Sequence, residues 1–221
     1  MPKVSALMIT GKSSHRRSLA EIAVRCFQRQ THSDRELIIV NTAPDAPWFT
    51  TQASGVHETA LPRSDATLGE LRNLSVQLAR GEFVLQWDDD DWHHPHRMAW
   101  QVSKHSPGEM TILRRQYCLD AVTGEAGVID GLDLKRDPKG IAGTVLCEPR
   151  SLHYPARARD EDTLALRGKP VNIVENEPSL YVRVYHGGNT WSRDHILGRI
   201  TRPVPDQNFV ERIGALYTPI D

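Results

Sequence analysis

Short apolar runs alternate with helical stripes along the first half of this chain. Residues 4–9, Val-Ser-Ala-Leu-Met-Ile, read as a buried strand. After a polar stretch, Leu19, Ile22, Ala23, Cys26 and Phe27 recur at three- and four-residue intervals. That spacing predicts a helix with one apolar face, capped by Ser14 or Ser18. Residues 36–40, Glu-Leu-Ile-Ile-Val, predict a second buried strand, and 41–48 a turn-rich loop. Leu68, Leu71, Leu74, Ser75 and Leu78 form a second helical stripe, with Gly81 where a C-cap is expected. Residues 82–87 predict a third strand. Pro95 is placed to start a further helix, running to about Ser103.

Strand and helix in alternation predict a parallel sheet covered on both faces. Ligands of such sheets bind beyond the carboxyl ends of the strands. The second half reads differently. Residues 110–120, 127–134, 143–148, 171–175 and 179–186 are strand-like, 120–127 suits a hairpin turn, and 160–168 is the one helical stretch read there. No repeat, low-complexity tract or linker is visible. The expectation is one α/β domain over residues 1–221. A nucleotide-binding half covers about 1–100, and a smaller, more antiparallel half covers about 101–221.

Composition narrows the function classes. A hydrophobic share of 39% with 25% charged residues is ordinary for a soluble globular chain. A formal net charge of -1 supplies no global field toward nucleic acid or anionic lipid, although Arg16-Arg17 and Arg114-Arg115 remain local phosphate candidates. Three cysteines, widely spaced and without a Cys-x-x-Cys pair, argue against a disulfide framework or a structural zinc site. The amino-terminal apolar stretch is too short for a signal peptide, and no run is long enough to span a membrane. A cytoplasmic location without a membrane segment is the expectation.

The strongest chemical signal is Asp88-Asp89-Asp90-Asp91, which closes the third apolar run. Adjacent carboxylates at a strand end repel one another unless a cation neutralises them. Oxygen ligands of this kind suit Mg²⁺ or Mn²⁺, which also accept substrate phosphates as ligands. In extended chain Asp88 and Asp90 share one face, and Asp89 and Asp91 the other. The plainer alternative is an acidic loop that caps the helix near Pro95.

With this run, "ARGEFVLQWDDDDWHHPHRM" resembles the strand, D-x-D motif and Pro-x-Arg helix of the family 2 glycosyltransferases of GT-A fold. "VSALMITGKSSHRRSLAEIAVRCFQRQTHSDRELIIVNTA" is similar to that family's first strand, helix and second strand. "LGELRNLSVQLARGE" resembles its Arg-Asn helix, "PARARDEDTLAL" its Glu-Asp motif, and "YVRVYHGGNTW" its late His-Gly-x-Asn-Thr segment. The likeness extends over about residues 3–192. It implies inverting transfer of a sugar from a nucleotide diphosphate sugar to an acceptor hydroxyl, with Mn²⁺ or Mg²⁺ as cofactor. Asp88, Asp90 and His186 would hold the metal, and with it the donor diphosphate. Asp89 or Asp91 would touch the donor ribose or sugar, and Arg72 would sit near the donor. Asp162 would be the catalytic base, with Glu161 orienting the acceptor or the base. Thr10-Gly11-Lys12 and Asn41-Thr42 depart from the family's pattern after the first and second strands. Thr10, Lys12 and Asn41 remain donor-side candidates there, but the base of the nucleotide is less constrained: UDP is the default, with GDP, TDP and CDP open.

Competing readings of single features are weaker. "MITGKSS" lacks the first glycine of a phosphate-binding loop, since that place holds Ala6. His93, His94 and His96 have no second histidine motif to complete a zinc site, and a helix start accounts for them. Trp92 and Trp191 are candidates for a sugar or acceptor pocket, whereas Trp87 and Trp100 suit core packing. Arg157 and Arg159 suit a solvated face or a charged acceptor. The alternatives in function are a sugar nucleotidyltransferase and a non-catalytic nucleotide-sugar binder. The acceptor is open: a glycan, a protein, a small molecule or modified bases in DNA.

Overall fold

The computed structural model describes residues 1–11, 15–49 and 54–217. In chain order these form β1 (Val4–Thr10), α1 (His15–Gln28), β2 (Arg35–Asn41), β3 (Val56–Ala60), α2 (Leu68–Leu78), β4 (Phe83–Gln86), β5 (Trp92–His93) and α3 (Arg97–Ser103). There follow β6 (Met110–Leu113), β7 (Arg115–Asp120), β8 (Ala126–Asp130), β9 (Ile141–Cys147), α4 (Glu161–Leu166) and β10 (Val171–Val174). The last elements are β11 (Tyr181–Tyr185), α5 (Arg193–Leu197), β12 (Arg202–Pro203) and α6 (Gln207–Tyr217).

Two sheets organise the chain. The larger has the order β10-β6-β9-β4-β1-β2-β3, and the smaller β12-β8-β7-β11-β5. From β4 to β3 all neighbours are parallel, as the strand–helix alternation predicts. Along β1, Ala6 and Met8 face a core that includes Leu19, Ala23 and Phe27 of α1, while Leu7 faces one that includes Ala165 and Leu166 of α4. The sheet is thus covered on both sides.

The second half does not stand apart. β9 enters antiparallel between β4 and β6, and β10 pairs with β6 in parallel, so three late strands complete the first sheet. The run 110–120, read as one strand, breaks at Arg114: β6 stays in the large sheet and β7 starts the small one. Arg114 holds this corner. Its backbone N–H donates to Val174 O (3.0 Å), and its guanidinium pairs with Asp130 (2.9 Å) and Glu175 (2.6 Å). Apolar periodicity cannot see such a corner, because both flanking segments are buried.

Other local expectations need correction. Ser18 lies inside α1 and does not cap it, and Ser14 lies outside the described residues. α2 is closed at its start by a capping box between Thr67 and Glu70, a device worth about 1 kcal/mol. Its C-cap is Ala79, in extended conformation, and not Gly81. Gly81 serves a close approach: its N–H donates to Ser5 Oγ (2.8 Å), and a Cβ there would stand 2.7 Å from Ser5 N. α3 begins at Arg97, two residues after Pro95. The edge strand β3, the terminal helices α5 and α6 and the two-residue β12 escaped the sequence reading, although Val210, Ile213 and Tyr217 do mark a buried stripe on α6. No helix among the described residues is long and apolar enough to cross a membrane.

Candidate active site

β1 and β4 run side by side from Val4↔Phe83 to Leu7↔Gln86, so the acidic run leaves the sheet beside the end of β1. Trp87 anchors the exit. It is fully buried, its indole N–H donates to Ala23 O (3.1 Å), and its ring stacks on His93 with centroids 3.7 Å apart.

The four aspartates then alternate in environment. Asp89 is 4% exposed and accepts from Thr10 Oγ1 (2.7 Å). Burial pushes its pKa up to about 7, against the pull of the Arg16 guanidinium. Asp91 is also buried, accepting from the Tyr181 hydroxyl and from Val184 N (2.9 Å). Burial, with the charges of Asp90 and Asp88, holds its pKa well above the ordinary range. Asp88 and Asp90 are only half-buried. Asp88 accepts from Arg72 Nη2 (3.0 Å) and Gln86 Nε2 (3.2 Å). Asp90 accepts from Arg16 Nη1 (2.6 Å) and lies 3.4 Å from His186 Nε2. Burial would raise the Asp90 pKa, but Arg16 and His186 outweigh it and hold the carboxyl below the usual range.

A second acidic group meets the first across Arg72. Glu161, in the first turn of α4, accepts from Arg72 Nε at 3.0 Å. Burial raises the Glu161 pKa, and Arg72 opposes the rise. One buried guanidinium, 8% exposed, therefore ties the end of β4 to the start of α4. Asp162 follows. Its Oδ1 accepts from Thr163 N (2.6 Å) and lies 3.3 Å from the Thr163 hydroxyl. Its Oδ2 points toward Gly143 on β9. A Cβ on Gly143 would meet Asp88 Oδ2 at 3.3 Å and Asp162 Oδ2 at 3.8 Å. The missing side chain leaves the two carboxylates facing one space. That space is a single cleft of about 1080 Å³, counted with its open mouth.

Asp88, Asp89, Asp90, Asp91, Arg72, Glu161, Asp162 and Trp191 all line this cleft. His186 reaches it through Asp90 and Thr10 through Asp89. Asn41 does not reach it. Asn41 is 0% exposed, and both ends of its amide are taken, Nδ2 donating to Glu58 (2.7 Å) and Oδ1 accepting from Ala43 N (2.9 Å). Lys12 lies outside the described residues. Trp191 stacks on His195 with centroids 4.0 Å apart, and Arg159 lies 5.2 Å from its ring. Trp92 packs away from the cleft against Phe209. His93 is buried against Trp87 and Arg97, while His96 bonds Thr31 (3.1 Å), so the histidine cluster does not converge.

Among the described residues no three His, Cys, Asp or Glu side chains are arranged as a metal-binding group. Of the expected set Asp88, Asp90 and His186, the last two lie 3.4 Å apart, and Asp88 pairs with Arg72. Two protein ligands still fit a hard dication that completes its shell with diphosphate oxygens and water. Arg16 now stands beside Asp90 and supplies the neutralising charge.

Several cleft residues went unread in the sequence: Tyr181, Gln116, Gly143, Arg136, Arg183 and Arg199. Only Arg183 carried a local signal, as the polar position in the alternating Tyr-Val-Arg-Val-Tyr of β11.

No family model matches the chain, and no curated protein matches it. Solved structures do. S. aureus TarS 1–349 in complex with UDP superposes with a TM-score of 0.60 at 15% identity, over 83% of this chain and 60% of that one. The same protein with UDP-GlcNAc gives 0.59 at 16% identity, over 97% and 66% respectively. S. aureus TarS at greater length gives 0.59 at 14% identity, over 83% of this chain and 37% of that one. This chain therefore spans about 60% of the first of these structures. At such identities the likeness shows the fold, which is mixed α/β and GT-A-like.

Proposed function

We propose that this chain is an inverting glycosyltransferase that moves a sugar from a nucleotide diphosphate sugar, UDP-linked by default, to an acceptor hydroxyl. What supports the reading most is the convergence of Asp88 and Asp162 on either side of Gly143, in one cleft beyond the carboxyl ends of parallel strands. The GT-A-like fold, with TarS solved in complex with UDP and with UDP-GlcNAc, supports the donor class.

The donor diphosphate lies beside Asp90 and His186 in this reading. A divalent cation, Mn²⁺ or Mg²⁺, held by that pair would neutralise charge on the departing diphosphate. Arg16 is hydrogen-bonded to Asp90 and must yield part of that contact when a cation is bound. Asp91 and Asp89 work from below. Fixed by Tyr181, Val184 and Thr10, they hold the turn that presents Asp88 and Asp90. Asp162 removes the acceptor proton at Oδ2, since Oδ1 is engaged by Thr163. Glu161 and Arg72 do not touch the reacting atoms. They set the separation between the base and the acidic run.

The test is calorimetric titration of UDP and UDP-sugars with and without Mn²⁺, followed by product analysis. Release of UDP with transfer of the sugar is expected. With UTP and a sugar 1-phosphate supplied in parallel, release of pyrophosphate would identify a nucleotidyltransferase, and binding without turnover in the presence of varied acceptors would identify a non-catalytic binder.

A further inference from the structure

Three arginines on the other wall of the cleft have no place in that scheme. Arg136 comes from the segment after β8, Arg183 from the middle of β11, and Arg199 from the segment after α5. Among the described residues, the guanidiniums of Arg183 and Arg199 make no side-chain hydrogen bond and no ion pair, although the Arg183 backbone lies in the β11–β7 ladder. Arg136 donates to Gly140 O and Thr163 Oγ1, but its Nε is buried without a partner. The three cations act on one another. Burial lowers the pKa of Arg136 first, and the charges of Asp162, Arg199 and Arg183 also act on it, the last two lowering it further. Arg199 is lowered by burial and then by Arg183. His195, under Trp191, is depressed by burial and by the same three guanidiniums. Gln116, 3% exposed on β7, adds a buried Oε1 with no partner in the same cleft.

Gathering like charges without carboxylate partners is unfavourable unless a ligand supplies the counter-charge. Asp160 and Asp162 act on Arg136 and Arg199, and Asp91 on Arg183, whose pKa is raised against its burial, yet among the described residues none of these carboxylates forms an ion pair with the three guanidiniums. Guanidinium forks match phosphate oxygens, and three forks offer more donors than a carboxylate can accept. Asp162 stands among them, so the anion belongs on the acceptor side of the reaction. We infer that Arg136, Arg183 and Arg199 form an acceptor subsite for a phosphate ester, and that the acceptor is an alcohol with a phosphate close to its reacting hydroxyl. The inference rests on the glycosyltransferase reading above and names the substrate class for it. The unpaired Gln116 Oε1 suits a second hydroxyl of such an acceptor.

The experiment titrates glycerol 3-phosphate and, separately, glycerol into protein saturated with UDP and Mn²⁺. The wild type is compared with Arg199→Gln, Arg136→Gln and Arg199→Lys, and thermal melting checks that each variant folds. Glycerol 3-phosphate is expected to bind where glycerol does not. Each Gln variant should weaken it by about tenfold or more, Arg199→Lys by less, while UDP affinity stays within about twofold. Absence of glycerol 3-phosphate binding to the UDP-loaded wild type overturns the inference. So does loss of UDP affinity in step with phosphate affinity, which would give the arginines to the donor diphosphate. If Arg136→Gln does not fold, Arg199→Gln decides alone. A wild type that binds glycerol 3-phosphate but never UDP would sink the transferase reading and leave the subsite standing. A short oligonucleotide run in parallel fixes the source of the phosphate: tighter binding than glycerol 3-phosphate supports the subsite with a polymer backbone, equal or weaker binding supports it with a small ester.

Discussion

The two walls of the cleft solve their electrostatics in opposite ways. On the wall built from β1, β4 and α2, each guanidinium lies against carboxylates: Arg16 on Asp89 and Asp90, Arg72 on Asp88 and Glu161. On the wall built from β8, β11 and the segment after α5, Arg183 and Arg199 form no ion pair among the described residues, although the more distant charge of Asp91 acts on Arg183. Paired charges in a buried setting are structural first, because removing one partner strands the other. Like charges gathered without ion-pair partners oppose folding mildly, and a ligand's counter-charge would relieve them. Under the proposal above, the contrast separates a wall that is fixed before any ligand arrives from one that a ligand would complete.

Four variants test this contrast, and the largest effect is expected at the boundary between the walls. Asp162→Asn keeps the shape of the proposed base and removes its ability to take a proton. Sugar transfer should fall by about 10²–10⁴-fold with donor affinity unchanged, read by turnover and by calorimetry. Equal loss of donor affinity would mean that Asp162 belongs to the donor wall. Next, Arg72→Met strands two carboxylates at once and should lower stability by about 3–5 kcal/mol in urea denaturation. An unchanged midpoint would show that the paired wall is not held by its pairs.

Gly143→Val fills the gap between Asp88 and Asp162. Overpacking there should cost about 1–3 kcal/mol in stability, and displacement of either carboxylate by about 1 Å should cost about 10²-fold in turnover. Full activity in this variant would show that the two carboxylates need not face one another. The smallest effect is expected at Arg199→Gln. Stability in urea should change by no more than about 0.5 kcal/mol, or rise, since the charge lost has no partner. A loss comparable to that of Arg72→Met would dissolve the distinction between the walls.

Much of the paired wall was legible along the chain. Asp88–Asp91 announce themselves by density, and Glu161-Asp162 and Arg72 by their likeness to a known pattern. Their partners were only partly legible: Tyr181, which fixes Asp91, is one tyrosine in an ordinary strand. Asn41 shows the converse failure. It sits at the expected strand end, yet Glu58 and Ala43 N occupy its amide, and no spacing rule foretells which polar end turns inward. The unpaired wall was nearly invisible, because Arg136, Arg183 and Arg199 come from a loop, a strand and the segment after a helix with no shared spacing.

By itself the sequence determined which segments are apolar and with what period, and where one dense block of charge had to leave the sheet. Period-two and period-3.6 patterns report burial of a face, and repulsion between neighbouring carboxylates is a local fact. Which buried strand pairs with which was decided only by the tertiary structure. The insertion of β9 beside β4 places Gly143 between Asp88 and Asp162, and the corner at Arg114 sends β7 into a second sheet beside β11. Side chains far apart in the chain meet through those pairings, and hydrophobic burial drives strands together without encoding which polar groups will face each other in the space left between them.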